Sequence, residues 1–89
     1  MAYELQVERA ARKDIDRLPE RDYQRIETAI DRLAAEPRPR GTRKLRGPGG
    51  RWRMRVGEYR VVYAVFDKER LVKILRVHRR TTTTYGELP

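Results

Sequence analysis

Residues 51–66 read RWRMRVGEYRVVYAVF, and this stretch decides the predicted fold. Its first six residues alternate an arginine with a bulky apolar side chain, which is the two-residue period of a β-strand. The alternation predicts Arg51, Arg53 and Arg55 on one face of a sheet and the apolar side chains on the other. After a short Gly-Glu turn the chain continues as a nearly unbroken apolar segment. We therefore predict a β-hairpin whose second strand is central and covered on both faces over much of its length.

A short strand and a helical hairpin are predicted ahead of this β-hairpin. Residues 3–7 alternate apolar with polar side chains, as in a half-buried strand. Apolar residues then recur at helical spacing on both sides of Pro19, which cannot lie inside a helix but is well suited to start one. Two helices are therefore expected, one ending before Pro19 and one beginning there. Downstream, Leu71 to His78 is predicted as the last strand and residues 79–89 as a polar tail.

These elements predict a single domain of the α+β class spanning residues 1–89. The expected architecture is an N-terminal strand and a two-helix hairpin packed on a curled, mainly antiparallel four-stranded sheet, in the order β-α-α-β-β-β. A chain of 89 residues is near the lower end of what folds alone, so a second core is not expected.

The second half of the chain is strongly basic. Residues 1–37 hold seven Lys or Arg against nine Asp or Glu, whereas residues 38–89 hold fifteen against four. Arginine supplies 18 of the 22 cations, and its planar fork can bind a phosphate group at two points. This asymmetry favours a polyanionic partner for the second half, although a solvated basic surface would give the same composition.

The composition disfavours several classes of protein. The chain has no cysteine, so a disulfide framework, a thiolate metal site and a cysteine nucleophile are excluded. No apolar run approaches the length of a membrane span, and the N-terminal residues lack the pattern of a signal peptide. We expect a soluble cytoplasmic protein that does not associate with a membrane.

The basic half also constrains the chemistry. Its few carboxylates are scattered over turns and tail, which is a poor arrangement for holding metal ions. RNA carries its own nucleophile in the 2′-hydroxyl group, so fixed cations and one or two proton carriers can suffice to cleave it. We expect neither a metal nor a small-molecule cofactor. His78 and Tyr85 are the candidate proton carriers, because arginine stays protonated.

Three segments of the sequence carry a resemblance to a known family. They are Lys44-Leu45-Arg46-Gly47, the block from Trp52 to Tyr63, and Val77-His78-Arg79-Arg80 with the Tyr85 that follows. With these segments the sequence resembles those of the RelE/ParE superfamily of bacterial and archaeal toxins. The resemblance covers essentially the whole chain. The resemblance implies a toxin of a toxin–antitoxin system. In the RelE branch it implies an mRNA interferase that cuts mRNA in the ribosomal A site without metal and leaves a 2′,3′-cyclic phosphate.

The resemblance also implies roles for individual residues. The presence of a cation or an aromatic residue at all five catalytic positions of the family pattern favours the RelE branch over the ParE branch. The arginines named below are expected to hold and stabilise the scissile phosphate. The tyrosine is expected at the nucleobase or at the leaving group. The expected RNA- or phosphate-binding residues are Lys44 and Arg46, which lie in a segment that carries the resemblance, and Arg51, which has no counterpart in the family pattern and is expected there from the density of arginines alone. The expected catalytic residues are Arg53 and Arg55, at the two lysines of the family's first hairpin strand; Arg60, at the arginine of its Tyr-Arg pair; Arg80, at the arginine after the last strand; and Tyr85, at the tyrosine of the tail.

One position departs from the family pattern. Arg53 stands where a lysine has been proposed as the general base, and a guanidinium is a poor proton acceptor. His78, two residues before Arg80, is therefore an alternative proton carrier, alongside the interpretation of a hydrogen-bonded structural histidine.

Three functional hypotheses stay open at this point. The first is a ribosome-dependent endoribonuclease, with mRNA and the rRNA of the ribosome as partners. The second is a ParE-like inhibitor of DNA gyrase, which needs no RNA chemistry. The third is a non-enzymatic nucleic-acid-binding module. The family resemblance also implies a cognate antitoxin, whose acidic helical segment would suit the arginine-rich half of the chain.

Overall fold

The computed structural model describes residues 2–47 and 50–79 of the chain. Within these ranges it contains two helices and five strands. In chain order they are β1 (Glu4–Val7), α1 (Arg9–Asp16), α2 (Glu20–Arg32), β2 (Arg43–Lys44), β3 (Arg51–Val56), β4 (Tyr59–Phe66) and β5 (Leu71–Arg79).

The five strands of the described residues form one mixed sheet with the order β1-β5-β4-β3-β2. β1 runs parallel to β5, and the other neighbouring strands are antiparallel. The predicted α+β class is therefore confirmed, but the predicted number of four strands is wrong. The additional strand, β2, has only two residues, which pair with Trp52 and Arg53 of β3. Because a segment so short has no visible periodicity, the sequence did not indicate a strand there.

The end of α1 and the start of α2 lie close to Pro19, as predicted. α1 ends at Asp16, before the proline, and Pro19 occupies the N-cap of α2 with an extended backbone. Glu20 and Asp22 lie in the first turn of α2, where the helix dipole favours negative charge. Tyr59 of β4 contacts the same turn, since its hydroxyl donates a 3.0 Å hydrogen bond to Asp22. In the ranges that the structure describes, no helix has the length and apolar character needed to cross a lipid bilayer.

Both helices pack against one face of the sheet and enclose an apolar core. Tyr63 lies fully buried in it, and its hydroxyl donates a 2.7 Å hydrogen bond to the carbonyl of Pro37. Burial raises the pKa of Tyr63. Tyr59 and Tyr63 are thus structural residues, which share the core face of β4 with Val61. The largest fully buried side chains are Ile15, Ile26, Leu33, Val61, Tyr63, Val72 and Ile74.

The β3–β4 hairpin turns at Gly57 and Glu58, in the predicted place. Gly57 has a φ of +60°, which fits the first central residue of a type II′ turn. A Cβ atom at this position would lie 3.0 Å from the guanidinium nitrogens of Arg25 on α2. The guanidinium is the far end of a flexible side chain and can move aside, so the backbone conformation is what requires glycine here.

A β-bulge interrupts β5 opposite Val62 of β4. Val62 pairs with Arg76, while the next residue of β4 pairs with Ile74, so Leu75 has no residue opposite it. The extra residue reverses the alternation of faces along β5. Ile74 and Val77 consequently both lie buried in the core, although they are an odd number of residues apart.

Candidate functional site

Five of the predicted site residues lie on the face of the sheet that the helices leave uncovered, and four of them are neighbours on β3, β4 and β5. Arg55 of β3 is directly opposite Arg60 of β4, which is directly opposite His78 of β5. Arg53 lies two residues before Arg55 on the same strand and therefore shares its face. We call Arg53, Arg55, Arg60 and His78 the arginine face.

The side chains of the arginine face differ in exposure. Arg55 and His78 are exposed, whereas Arg53 and Arg60 are partly buried. The Nε atom of Arg60 is buried, and none of the described residues accepts a hydrogen bond from it. A buried donor without a partner costs about 1–3 kcal/mol. It therefore marks a position where an acceptor from a ligand would be bound with a gain in free energy.

Arg55 and Arg60 bring two like charges together. Directly opposite residues of antiparallel strands have Cα atoms about 4.5–5.5 Å apart, and repulsion between like charges in such a pair is destabilising. No carboxylate of the described residues forms an ion pair with either of them. A bound anion is the partner that would relieve this repulsion.

Other arginines of the described ranges form ion pairs with carboxylates. Asp67 illustrates the pattern, because it accepts a 2.6 Å hydrogen bond from the hydroxyl of Tyr3 and another from Arg38. These two donors lower the pKa of Asp67. The ion pairs between arginine and carboxylate are Arg12–Glu27 (3.1 Å), Arg12–Asp16 (3.7 Å), Arg38–Asp67 (2.6 Å), Arg76–Asp14 (2.8 Å) and Arg79–Glu58 (2.9 Å).

The pairing of β2 with β3 places a further basic residue beside the arginine face, one that the sequence analysis did not identify. Arg43 lies opposite Arg53 and so extends the arginine face to the edge of the sheet. Lys44, a predicted phosphate contact, lies opposite Trp52 and therefore on the side of the sheet that carries the helices. Once β2 is recognised, the alternation of its two residues is enough to predict this placement.

The remaining predicted site residues lie farther away or outside the described ranges. Arg51 shares the face but is opposite Ala64, at the other end of β3 from Arg55. Arg46 is exposed in the bend that follows β2. Arg80 and Tyr85 lie outside the described residues, so their catalytic roles stay predictions.

A groove of about 520 Å³ runs between α2 and the edge of β3. β2 pairs with Trp52 and Arg53 only, so within residues 2–47 and 50–79 no strand pairs with this edge of β3 beyond Arg53. We call this cavity the α2–β3 groove; it offers an apolar surface flanked by cations, next to the arginine face. Its apolar surface includes Met54 and Val56, and its cations are Arg25, Arg32, Arg40 and Arg55.

Both the sequence and the fold of this chain are similar to those of known toxins. Residues 5–83 match the family model described as the ParE toxin of type II toxin–antitoxin systems, parDE. The chain is 35% identical over 81 residues to the toxin RelG of Mycobacterium tuberculosis, and the match covers 90% of this chain and 93% of RelG.

Two solved structures of similar proteins share the fold. The archaeal RelE–RelB complex from Pyrococcus horikoshii matches with a TM-score of 0.82 at 34% identity, covering 93% of this chain and 100% of the other. The RelBE2 toxin–antitoxin complex from Mycobacterium tuberculosis matches with a TM-score of 0.79 at 32% identity, covering 90% and 100%. The family match, over residues 5–83, thus spans both helices and all strands from β2 to β5.

Proposed function

The chain belongs to the RelE/ParE superfamily of toxins from type II toxin–antitoxin systems, and on this basis we propose that it is an endoribonuclease that cleaves mRNA on the ribosome without a metal ion. The observation that carries the proposal is the arginine face. Arg55 and Arg60 stand side by side on adjacent strands, and neither has a carboxylate partner among the described residues. A phosphodiester carries the opposite charge, and its two nonbridging oxygens can accept paired hydrogen bonds from a planar guanidinium group.

The proposed reaction uses the 2′-hydroxyl of the RNA as its nucleophile. The oxygen attacks the adjacent phosphorus and loses its proton to a base, while the 5′-oxygen of the next nucleotide leaves and takes up a proton. The products are a 2′,3′-cyclic phosphate and a 5′-hydroxyl. Negative charge grows on the nonbridging oxygens in the transition state, where Arg55 and Arg60 would hold them.

Proton transfer requires a group that can change its charge near neutral pH. Arginine does not, whereas a histidine side chain does. His78 is directly opposite Arg60 in the sheet, so an imidazole lies beside the proposed phosphate site. We assign it the role of a proton carrier. The family pattern adds Arg80 as a further cation and Tyr85 at the base or the leaving group.

We further propose that a cognate antitoxin neutralises this toxin. The similar proteins from Pyrococcus horikoshii and Mycobacterium tuberculosis were solved as complexes with their partners. An acidic, amphipathic segment would suit the α2–β3 groove, because its apolar side could pack on Met54 and Val56 while its carboxylates meet the arginines of the rim. Binding there would also occupy Arg55 and so block the arginine face.

Cleavage on programmed ribosomes tests the proposed reaction. The purified toxin should cut a defined mRNA at the A-site codon, as mapped by primer extension. Arg55→Ala and Arg60→Ala should each lose about 10²–10³-fold in cleavage rate and should relieve growth arrest on expression. Arg9→Ala is the matched control, since it removes an exposed arginine at the start of α1 and should keep both activities. Full toxicity in both arginine-face variants would reject the assignment.

Inhibition of DNA gyrase is the second candidate function, and the match to the ParE family model favours it. A supercoiling assay with purified gyrase separates the two candidates. Blocked supercoiling with intact mRNA supports the gyrase inhibitor, whereas cut mRNA with normal supercoiling supports the ribonuclease. Salt-sensitive binding of nucleic acid with neither effect would support a non-enzymatic module.

A further inference from the structure

Asp14 of α1 connects the helical layer to β5 close to the proposed site. Its side chain is only 11% exposed. The carboxylate accepts hydrogen bonds from Nε and Nη2 of Arg76, at 2.8 Å and 3.2 Å, and from the backbone N–H of Val77, at 2.9 Å. Because Val77 directly precedes His78, these bonds attach α1 to the part of β5 that carries the proposed proton carrier.

The hydrogen bond to Val77 takes the place of a strand pairing. β1 pairs with β5 only as far as Ile74, so beyond this residue the edge of β5 that faces away from β4 has no neighbouring strand among the described residues. The N–H of Val77 is satisfied by the Asp14 carboxylate. Asp14 therefore caps the open edge of β5 immediately after its bulge.

The bulge decides which side chains of β5 reach the arginine face. With Leu75 as the extra residue, Val77 lies opposite Val61 in the core and His78 lies opposite Arg60. In a regular ladder without the bulge, the alternation would shift by one residue and His78 would turn toward the helices.

We propose that Asp14 is a positioning residue that locks the bulge of β5 and thereby holds His78 on the arginine face. Its consequence for cleavage rests on the proposed ribonuclease function. Burial alone would raise the pKa of Asp14, but the hydrogen bonds from Arg76 and Val77 outweigh burial and lower it. The carboxylate is therefore ionised at neutral pH, and charge-assisted hydrogen bonds of this kind are about twice as strong as neutral ones.

Asp14→Ala should release the bulge, and NMR of the free toxin detects this without RNA. The Val77 amide should exchange with solvent at least about tenfold faster, because it loses a hydrogen bond to a charged acceptor. The nuclear Overhauser effect between the α-protons of Val61 and Val77 should weaken. Arg76→Ala is the matched control, since it removes the same ion pair but keeps the bond from Val77 to Asp14. Asp14→Asn should restore most of the protection, because its amide oxygen can still accept that bond.

Cleavage kinetics test the consequence for the reaction. Asp14→Ala should lower kcat by about tenfold and change KM little, because the arginines that bind the phosphate keep their positions while His78 does not. Asp14→Asn, which keeps the acceptor for the Val77 N–H, should keep kcat close to the wild-type value. If the alanine variant does not fold, Asp14→Ser replaces it, since a serine hydroxyl is too short to span the same distance.

Two results would overturn the proposal. One is an unchanged Val77 exchange rate and an unchanged Val61–Val77 Overhauser effect in Asp14→Ala. The other is a wild-type kcat in a variant whose bulge is released. Absence of cleavage by the wild-type toxin would instead refute the ribonuclease function alone, because the exchange measurement does not depend on RNA.

Discussion

Replacement of Arg60 by methionine should change stability and activity in opposite directions. Methionine keeps a long apolar stem but removes the positive charge and the Nε donor. Arg60 lies directly opposite Arg55, and its buried Nε has no hydrogen-bond partner among the described residues. Arg60→Met should therefore preserve or raise the free energy of unfolding while it removes a ligand of the phosphate.

Two contributions set the size of the stability change. Two unit charges about 6 Å apart in water repel each other by roughly 0.7 kcal/mol, and like charges directly opposite in a sheet are destabilising by about 0.2–1 kcal/mol. Removing a buried, unpaired donor adds up to about 1–3 kcal/mol. Part of this gain is offset by weaker packing of the partly buried stem. We expect a net gain of about 1 kcal/mol and a loss of about 10²–10³-fold in RNA cleavage.

Urea unfolding and ribosome cleavage, measured on the same preparation, test this prediction. Arg12→Met is the control, and it should change the free energy of unfolding in the opposite direction. Arg12 of α1 forms a 3.1 Å ion pair with the partly buried Glu27 of α2. The substitution should lower the free energy of unfolding by about 0.2–1 kcal/mol and leave cleavage unchanged. If Arg60→Met instead lowers the free energy of unfolding by more than about 1 kcal/mol, Arg60 is a structural residue and the reasoning is refuted.

Three further predictions concern the hairpin turn, the bulge and the arginine face. Gly57→Ala should lower the free energy of unfolding in urea by about 1–3 kcal/mol, because φ is +60° and a residue with a side chain is strained there; an unchanged midpoint would contradict this. The folded-state pKa of Asp14 is below its ordinary 3.8, so its contribution to stability is present above about pH 4 and is lost as the pH falls further. Urea unfolding of Asp14→Asn should therefore depend less on pH below about pH 4 than that of the wild type. Arg55→Ala should make the log–log slope of RNA binding against salt shallower by about 0.7 for each phosphate that is no longer neutralised, whereas an unchanged slope would exclude Arg55 from the interface.

Local patterns in the sequence predicted the central hairpin and its two faces. The arginine alternation of β3 correctly separated Arg55 from the buried Met54, because it is a repeat of period two within a strand long enough to show it. The apolar run of β4 correctly predicted a central strand, but the helices cover only one of its two faces.

Features that depend on distant parts of the chain were not predictable in the same way. β2 is visible only through its pairing with β3, so the place of Arg43 on the arginine face was missed. The bulge at Leu75 breaks the period of two, and one of the interactions that hold it comes from Asp14, which is 63 positions away from Val77 in the chain. Such an interaction leaves no local signal in either segment.

Binding of an uncleavable RNA tests most directly whether the arginines of adjacent strands form one anion site. The ligand is a short RNA with a 2′-deoxy nucleotide at the scissile position, and the Nε–Hε resonances of Arg55 and Arg60 are followed by NMR during titration. We predict that both resonances shift together with a single dissociation constant and that added salt weakens both equally. Shifts confined to arginines of the helical layer, or separate dissociation constants for Arg55 and Arg60, would contradict a shared phosphate site.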